Sequence, residues 1–405
     1  MKPINFTKYI SFLLVAYAFS FPVSRALTNT LEVLLVLLWL LEGNWEEKYN
    51  LYKRNLLSLS IFLLIGFSAL SILWHGDVEV SLRYIAKYHH LITIFIFYSS
   101  FDRTYTKHVF SAFFLAVFAS ELLSYGIFFE LIHYKNVSPR DPTPFMSHMA
   151  YSSVLAFTVS ALLVKAYYEK TLKYRLGYLF FSLTASINLF VNGGKTGQVI
   201  FIVLIFIIGL HFIKSKIKAI LIAVSTLTVV FLLAFNYSPN FKNRSIQLYN
   251  GLDKMILEHD FDHSGSRRVA LSILGVDTFL DNPFLGTGLS YNMAHAEQYL
   301  KSNNFNLKNI KHYADYHSAF ITISVQLGII GLFISLMIIY ALFTFKINSK
   351  EDKLISYLFA TTFVLFSLTH NTLHTMSPMT FFALFAGLLN QPQIKKTNGP
   401  KIHRS

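Results

Sequence analysis

Apolar residues along this chain gather into long runs parted by short polar stretches, the pattern of helices that cross a bilayer rather than of a soluble core. Runs able to span about 30 Å of hydrocarbon lie near 8–24, 26–42, 55–74, 84–101, 108–132, 147–167, 174–192, 197–213, 217–236, 318–345, 354–370 and 376–391. Twelve spans would return both termini to one side, so the pattern predicts an all-α polytopic membrane protein with one transmembrane domain over 1–405. The first run follows Lys2 and Lys8 as a signal peptide would, but with eleven later spans it is expected to stay as a helix. Two regions are polar instead: the segment 237–316 between the ninth and tenth spans, and the basic tail 392–405. Within the long segment, "RRVALSILGVDTFL" predicts an amphipathic helix lying on the bilayer or on the bundle. The following "DNPFLGTGLSYN" ends it, because Pro283 stops a helix and Gly286 and Gly288 permit a tight turn.

Charge sets the orientation. If the N-terminus is inside, 21 of the 35 Lys and Arg residues fall on inner segments, against six on the short outer ones. That bias predicts cytoplasmic termini and places 237–316 outside, as a periplasmic loop where the host has a periplasm. The same bias accounts for the net charge of +14 without nucleic acid. A chain 54% hydrophobic and only 14% charged is too apolar for ordinary soluble domains, and its 40 Phe and 23 Tyr suit lipid-facing and interfacial positions. With no cysteine, thiol catalysis, disulfides and cysteine-ligated zinc are excluded.

Three polar sites stand at the outer ends of apolar runs, where charge is costly unless used. The first is "VNGGKTGQ". It fails as a nucleotide-binding P-loop, which needs glycine where Leu189 stands. There remains Lys195 in a glycine-rich bend, where backbone N–H groups and the ammonium can together hold an anion; the ordinary alternative is a snorkelling lysine. The second is Arg267 and Arg268 in "HSGSRRVAL". A guanidinium is opposed by a helix N-terminus unless an anion shares the site, although solvated surface charge is the plainer reading. The third is His317 in "ADYHSAFITISVQLGIIG", where the positive end of a helix dipole should keep the imidazole neutral and fit for general base work. It can equally be a helix-start residue. Arg140 and His148, both in "RDPTPFMSHMAYS", are candidates to line an entrance. His370 and His374 are four apart but have no carboxylate near them in sequence to complete a metal site, and His89 and His90 read as interfacial.

Taken together, these sites resemble the bacterial O-antigen ligases and the related O-antigen polymerases and O-linked oligosaccharyltransferases. "HSAFITISVQLGIIG" is similar to the family's His-Asn/Ser start followed by Gly-hydrophobic-hydrophobic-Gly. Arg268, Pro283, Gly286 and Gly288 match an arginine followed fifteen positions later by proline and then Gly-x-Gly, which favours Arg268 over Arg267. Lys195 stands where members commonly carry arginine, keeping the charge and losing the bidentate fork. The resemblance implies a GT-C-like architecture and an inverting glycosyltransferase that needs neither metal nor cofactor. It further implies a glycan donor on undecaprenyl diphosphate, Lys195 and Arg268 (with Arg267) on the diphosphate, and His317 as base. Modest length and the match around His317 point to a ligase with a lipid A-core acceptor, working at the periplasmic face of the bacterial inner membrane in lipopolysaccharide biosynthesis. A polymerase extending undecaprenyl diphosphate-linked repeats is the alternative within the family. A lipid-linked oligosaccharide flippase or transporter is the alternative outside it, opposed by polar groups that cluster at one face and by the lack of internal repeats.

Overall fold

The computed structural model describes residues 5–74, 77–135, 137–263, 265–290, 299–300, 302–303, 305–307, 315–390 and 392; the expected tail 392–405 otherwise lies outside the described residues. The most enclosed element is α8 (His148–Tyr168), "HMAYSSVLAFTVSALLVKAYY". Its small Ala and Ser positions let neighbours approach on every side, and Ser153, Thr158 and Ser160 return their hydroxyls to the carbonyls one turn back. Against it pack α9 (Leu172–Val191), α10 (Lys195–Phe212) and α15 (Lys350–Thr369). The buried α16 (Met376–Leu389) closes the centre with Phe381 and Phe385, whose ring centroids lie 5.4 and 4.6 Å from that of Phe157.

A second layer is built by α1 (Phe6–Ser20), α2 (Arg25–Glu42), α3 (Trp45–Tyr52), α4 (Leu56–Leu70), α5 (Val78–Ala86), α6 (Ile92–Ser100) and α7 (Thr106–Phe128). Polar side chains start many of these helices: Asn5, Ser24, Asn55 and Asp77 each accept an otherwise orphaned N–H. On the other flank, α11 (Lys216–Tyr237) leaves Leu221, Ile222, Val224, Leu232 and Leu233 exposed, as a lipid-facing helix does. Then come α12 (Pro239–Glu258), α13 (Ser266–Asp281) and α14 (Ala319–Phe343).

The architecture is that of an all-α polytopic membrane protein; among the described residues there are only two isolated β-bridges and no strand. Among the described residues the apolar runs are helical, but seven helices are both long and apolar enough to cross, or eight if the pair α2 and α3, bent by 113°, counts as one. The shortfall has physical causes. At about 1.5 Å per residue, the 15 residues of α1 and 14 of α16 fall short of the hydrocarbon thickness. The run expected over 84–101 is broken by a 3-10 segment, Lys87–Leu91, and α9 carries Lys173 and Arg175 in its first turn.

The run expected as one span over 318–345 is broken too. Inside α14, Gly328 sits at φ 63°, ψ −157°, a conformation open essentially to glycine alone. Into that break docks the loop after α13. The N–H of Thr287 donates to the Val325 carbonyl at 2.8 Å, Gly288 N–H to Gln326 at 2.9 Å, and Ile329 N–H to Pro283 at 2.8 Å. A Cβ on Gly286 would come within 2.5 Å of the Gln326 carbonyl carbon, and one on Gly328 would overlap the Phe284 carbonyl. The two glycine motifs of the sequence are therefore halves of one clasp. The expected amphipathic helix is α13, whose Leu271 and Leu274 pack with Tyr316 and Val325, and Gly275 admits Ile321 where a side chain would clash.

Candidate active site

The helices run so that α8 and α15 are antiparallel. His148 and Thr369 stand at one end; Lys165 and Glu351, an ion pair at 2.7 Å, stand at the other. At the first end lies a cavity of about 340 Å³. Its polar lining comes from His148 on α8, Lys195 and Thr196 at the start of α10, Arg244 on α12, Arg268 on α13 and Thr369 at the end of α15. Val199, Ile200, Leu248, Leu365 and Leu368 supply an apolar wall.

"VNGGKTGQ" acts differently from the anion-binding bend expected of it. A Cβ on Gly194 would meet the Ser152 hydroxyl and, at 2.5 Å, the His148 carbonyl, and one on Gly197 would overlap the Ser152 backbone. The glycines thus seat α10 against α8. Their N–H groups are already engaged, Gly194 with Asn192 Oδ1 at 2.8 Å and Gly197 with Ser152 Oγ at 3.3 Å, while Lys195 N–H donates to Gly193 at 3.1 Å. Of the groups expected to hold an anion here, the ammonium is the one left without a partner on its charged atom. Lys195 Nζ is buried with no hydrogen-bond partner in the protein.

Arg268 is half-buried, with Nη2 2.9 Å from Met149 Sδ, and burial lowers its pKa from the ordinary guanidinium value while leaving it charged. Arg267, one position earlier, turns away from the cavity and binds Asp262, through Nη2 to Oδ1 at 2.7 Å and to the backbone carbonyl at 2.8 Å. Arg244 was not singled out from the sequence, since "NFKNRSIQ" carries no motif. Its guanidinium lies over Gly193, where a Cβ would come within 3.0 Å of Nε. The lining therefore holds three cations and no carboxylate. Three like charges beside apolar walls are costly without an anion among them.

His148 lines the same cavity and donates through Nδ1 to Asp141 Oδ2 at 3.2 Å. Burial works to raise the Asp141 pKa, but hydrogen bonds from His148 and Thr143 and the charges of His148 and Arg244 outweigh it and hold the carboxyl below its ordinary value. Arg140 is exposed on the adjoining turn and is not among the lining side chains.

His317 lies beside the cavity rather than in its lining. It is half-buried at φ 52°, a left-handed conformation unusual for histidine, and its N–H donates to Asp315 Oδ1 at 2.7 Å. Ser318 then caps α14. Its imidazole pKa is lowered, as expected, though chiefly by burial; Asp315 opposes the shift, and Arg268 and Arg267 add to it. His370 also gathers here, buried at the end of α15, with its carbonyl accepting from Ala319 N–H at 3.1 Å and its ring stacked on Phe366. His374 stacks on Tyr84 at 3.5 Å, so His370 and His374 form no metal pair.

Residues 179–336 match the family model described as O-antigen ligase, a stretch that runs from α9 into α14 and includes Lys195, Arg244, Arg268, the clasp and His317. No curated protein matches the chain.

Proposed function

We propose, from the premise that the chain belongs to the O-antigen ligase family, that it is an inverting glycosyltransferase moving O-antigen polysaccharide from undecaprenyl diphosphate to a lipid A-core hydroxyl. Members of the family are glycosyltransferase-like enzymes of the membrane, acting on lipid-linked glycans. One observation carries the reading: Lys195, Arg244 and Arg268 line a cavity without a carboxylate, at the end of the bundle, with an apolar wall beside them. A diphosphate joined to a hydrocarbon chain is the ligand that answers both features. Arg268 offers a planar fork and Lys195 a point charge for the phosphates, and both stabilise the negative charge that grows as the diphosphate departs. Arg244 takes the part expected of Arg267.

His317 removes the proton from the acceptor hydroxyl as that oxygen attacks the anomeric carbon and the diphosphate oxygen leaves from the opposite face. Its lowered pKa keeps it in the neutral form a base requires. His148 and Asp141 orient the donor at the same entrance. Cavity, donor and acceptor belong to the periplasmic face of the inner membrane, with both termini cytoplasmic.

The test is a lipopolysaccharide gel from a host lacking its own ligase. The wild-type chain restores a long ladder, Lys195→Ala, Arg268→Ala and His317→Ala do not, and Arg267→Ala does. If wild type fails there but lengthens single-repeat chains in a polymerase-deficient host, the acceptor assignment is overturned in favour of polymerisation.

A further inference from the structure

Away from the cavity, the break between α5 and α6 carries "KYHHL", and its two histidines meet a carboxylate from 58 positions upstream. His90 is buried rather than interfacial, and its Nδ1 lies 2.7 Å from Oε2 of the buried Glu32 on α2. His89, with its side chain half-exposed, directs Nε2 to the same oxygen at 3.5 Å, and the two imidazole centroids are 3.9 Å apart. Tyr17 on α1 donates to the other oxygen, Oε1, at 2.9 Å. Among the described residues this is the place where three metal-ligating side chains converge, one donor atom of each lying within 4.8 Å of the others.

The geometry points to a site for a divalent first-row transition metal, zinc or its neighbours, held by Glu32, His89 and His90. His89 is set up as a ligand. Its Nδ1 donates to the Ala86 carbonyl at 2.8 Å, which fixes the tautomer and leaves the Nε2 lone pair facing Glu32. Two ligands in tetrahedral array about zinc stand about 3.3 Å apart; here His89 Nε2 lies 3.5 Å and His90 Nδ1 2.7 Å from Glu32 Oε2. Tyr17 orients the carboxylate from behind, as an outer-shell donor does. His90 joins by moving its ring proton to Nε2 and opening its contact with Glu32 by about half an ångström, from a hydrogen-bond distance to a ligand one. The half-exposed flank of His89 leaves one side of the group uncovered by protein. The donors of this group are two imidazole nitrogens and a carboxylate oxygen, a set that suits zinc, nickel and copper better than a soft metal. None of these residues lines the cation-rich cavity, so the ion would brace α1 and α2 against the α5–α6 break rather than enter the chemistry.

The test uses the full chain in detergent, free of any histidine tag, titrated with cobalt(II) and followed by its visible absorption. One saturable equivalent is expected, weakened more than about 100-fold by His89→Ala or Glu32→Gln, since outer-shell changes alone cost 10–100-fold. His374→Ala and His263→Ala should bind as wild type. His89 stands at the surface, so its variant should fold, which its melting temperature without metal verifies; zinc should raise that temperature for wild type and leave it unmoved for His89→Ala. Absence of saturable binding, or binding undiminished in His89→Ala, overturns the site and leaves Glu32 and His90 as a hydrogen-bonded pair.

Discussion

A histidine at φ 52° holds a backbone conformation costing about 1–3 kcal/mol outside glycine, and such outliers gather where geometry is in use. For His317 the two demands can be separated. His317→Gly should raise the melting temperature in detergent, because glycine adopts that φ freely, and should abolish glycan transfer, because it removes the base proposed above. A variant that stays active removes His317 from the chemistry. The pH profile follows from the same residue. Its pKa lies below the ordinary 6.5, so kcat/KM should hold as pH falls through 6.5 and drop only below it, where the imidazole becomes charged. Arg267→Gln removes a positive charge that helps to lower it. The acid limb should then move toward higher pH while the plateau rate stays near wild type; an unmoved limb would mean that another group sets it.

At the scale of elements, the clasp between the loop after α13 and the break in α14 decides more than any single helix. Gly328→Ala places a Cβ against the Phe284 carbonyl at a φ and ψ that alanine avoids, so it should sharply lower thermal stability and the yield of folded protein. Gly66→Ala is the control: nothing lies within 4 Å of its added methyl, and in mid-helix α4 it should be neutral or stabilise by about 0.5–1 kcal/mol. Equal melting temperatures for the two would refute the clasp. The glycine-rich bend around Lys195 and the Pro283–Gly288 turn were legible because each is short-range in sequence, whereas Arg268 stood out from Arg267 only through the family resemblance. The break at Gly328 was not, since a glycine in an apolar run with no proline beside it reads as uninterrupted helix. The groups that satisfy the opened carbonyls arrive from some forty positions upstream. Arg244 was hidden for a similar reason, being brought to Gly193 only by the packing of α12 against α9. Glu32, too, meets His90 only in the folded chain.

For the whole molecule, the absence of cysteine permits a direct test of orientation. Arg140 and Lys170 are both exposed, beyond opposite ends of α8. In intact cells permeable only across the outer membrane, a bilayer-impermeant maleimide should label Arg140→Cys and spare Lys170→Cys; the reverse pattern would invert the topology and the proposed periplasmic site with it. Acid should also act on the fold as a whole. Burial beneath Tyr84 pushes His374 down to about 4, with Lys87 adding to the effect and Asp315 opposing it. The unfolded chain therefore binds the proton first. Stability contributed by neutral His374 is complete above the ordinary 6.5 and is lost as pH falls from there toward 4. Melting temperatures measured down that range should fall less steeply for His374→Phe, which keeps the ring on Tyr84 and has no proton to accept; a slope equal to wild type would assign the acid sensitivity elsewhere.

The clasp also turns a count of residues into a length. Pro283 is fixed on α14, Arg268 lines the cavity, and between them the stretch of α13 from Arg268 to Asp281 acts as a measuring rod of about 20 Å at 1.5 Å per residue. One residue added to that rod would swing Arg268 by about 100° as well as push it along, taking the guanidinium off the cavity with no change in composition. The fifteen-position interval is thus a dimension of the site, set by the length of one helix between the clasp and the cavity.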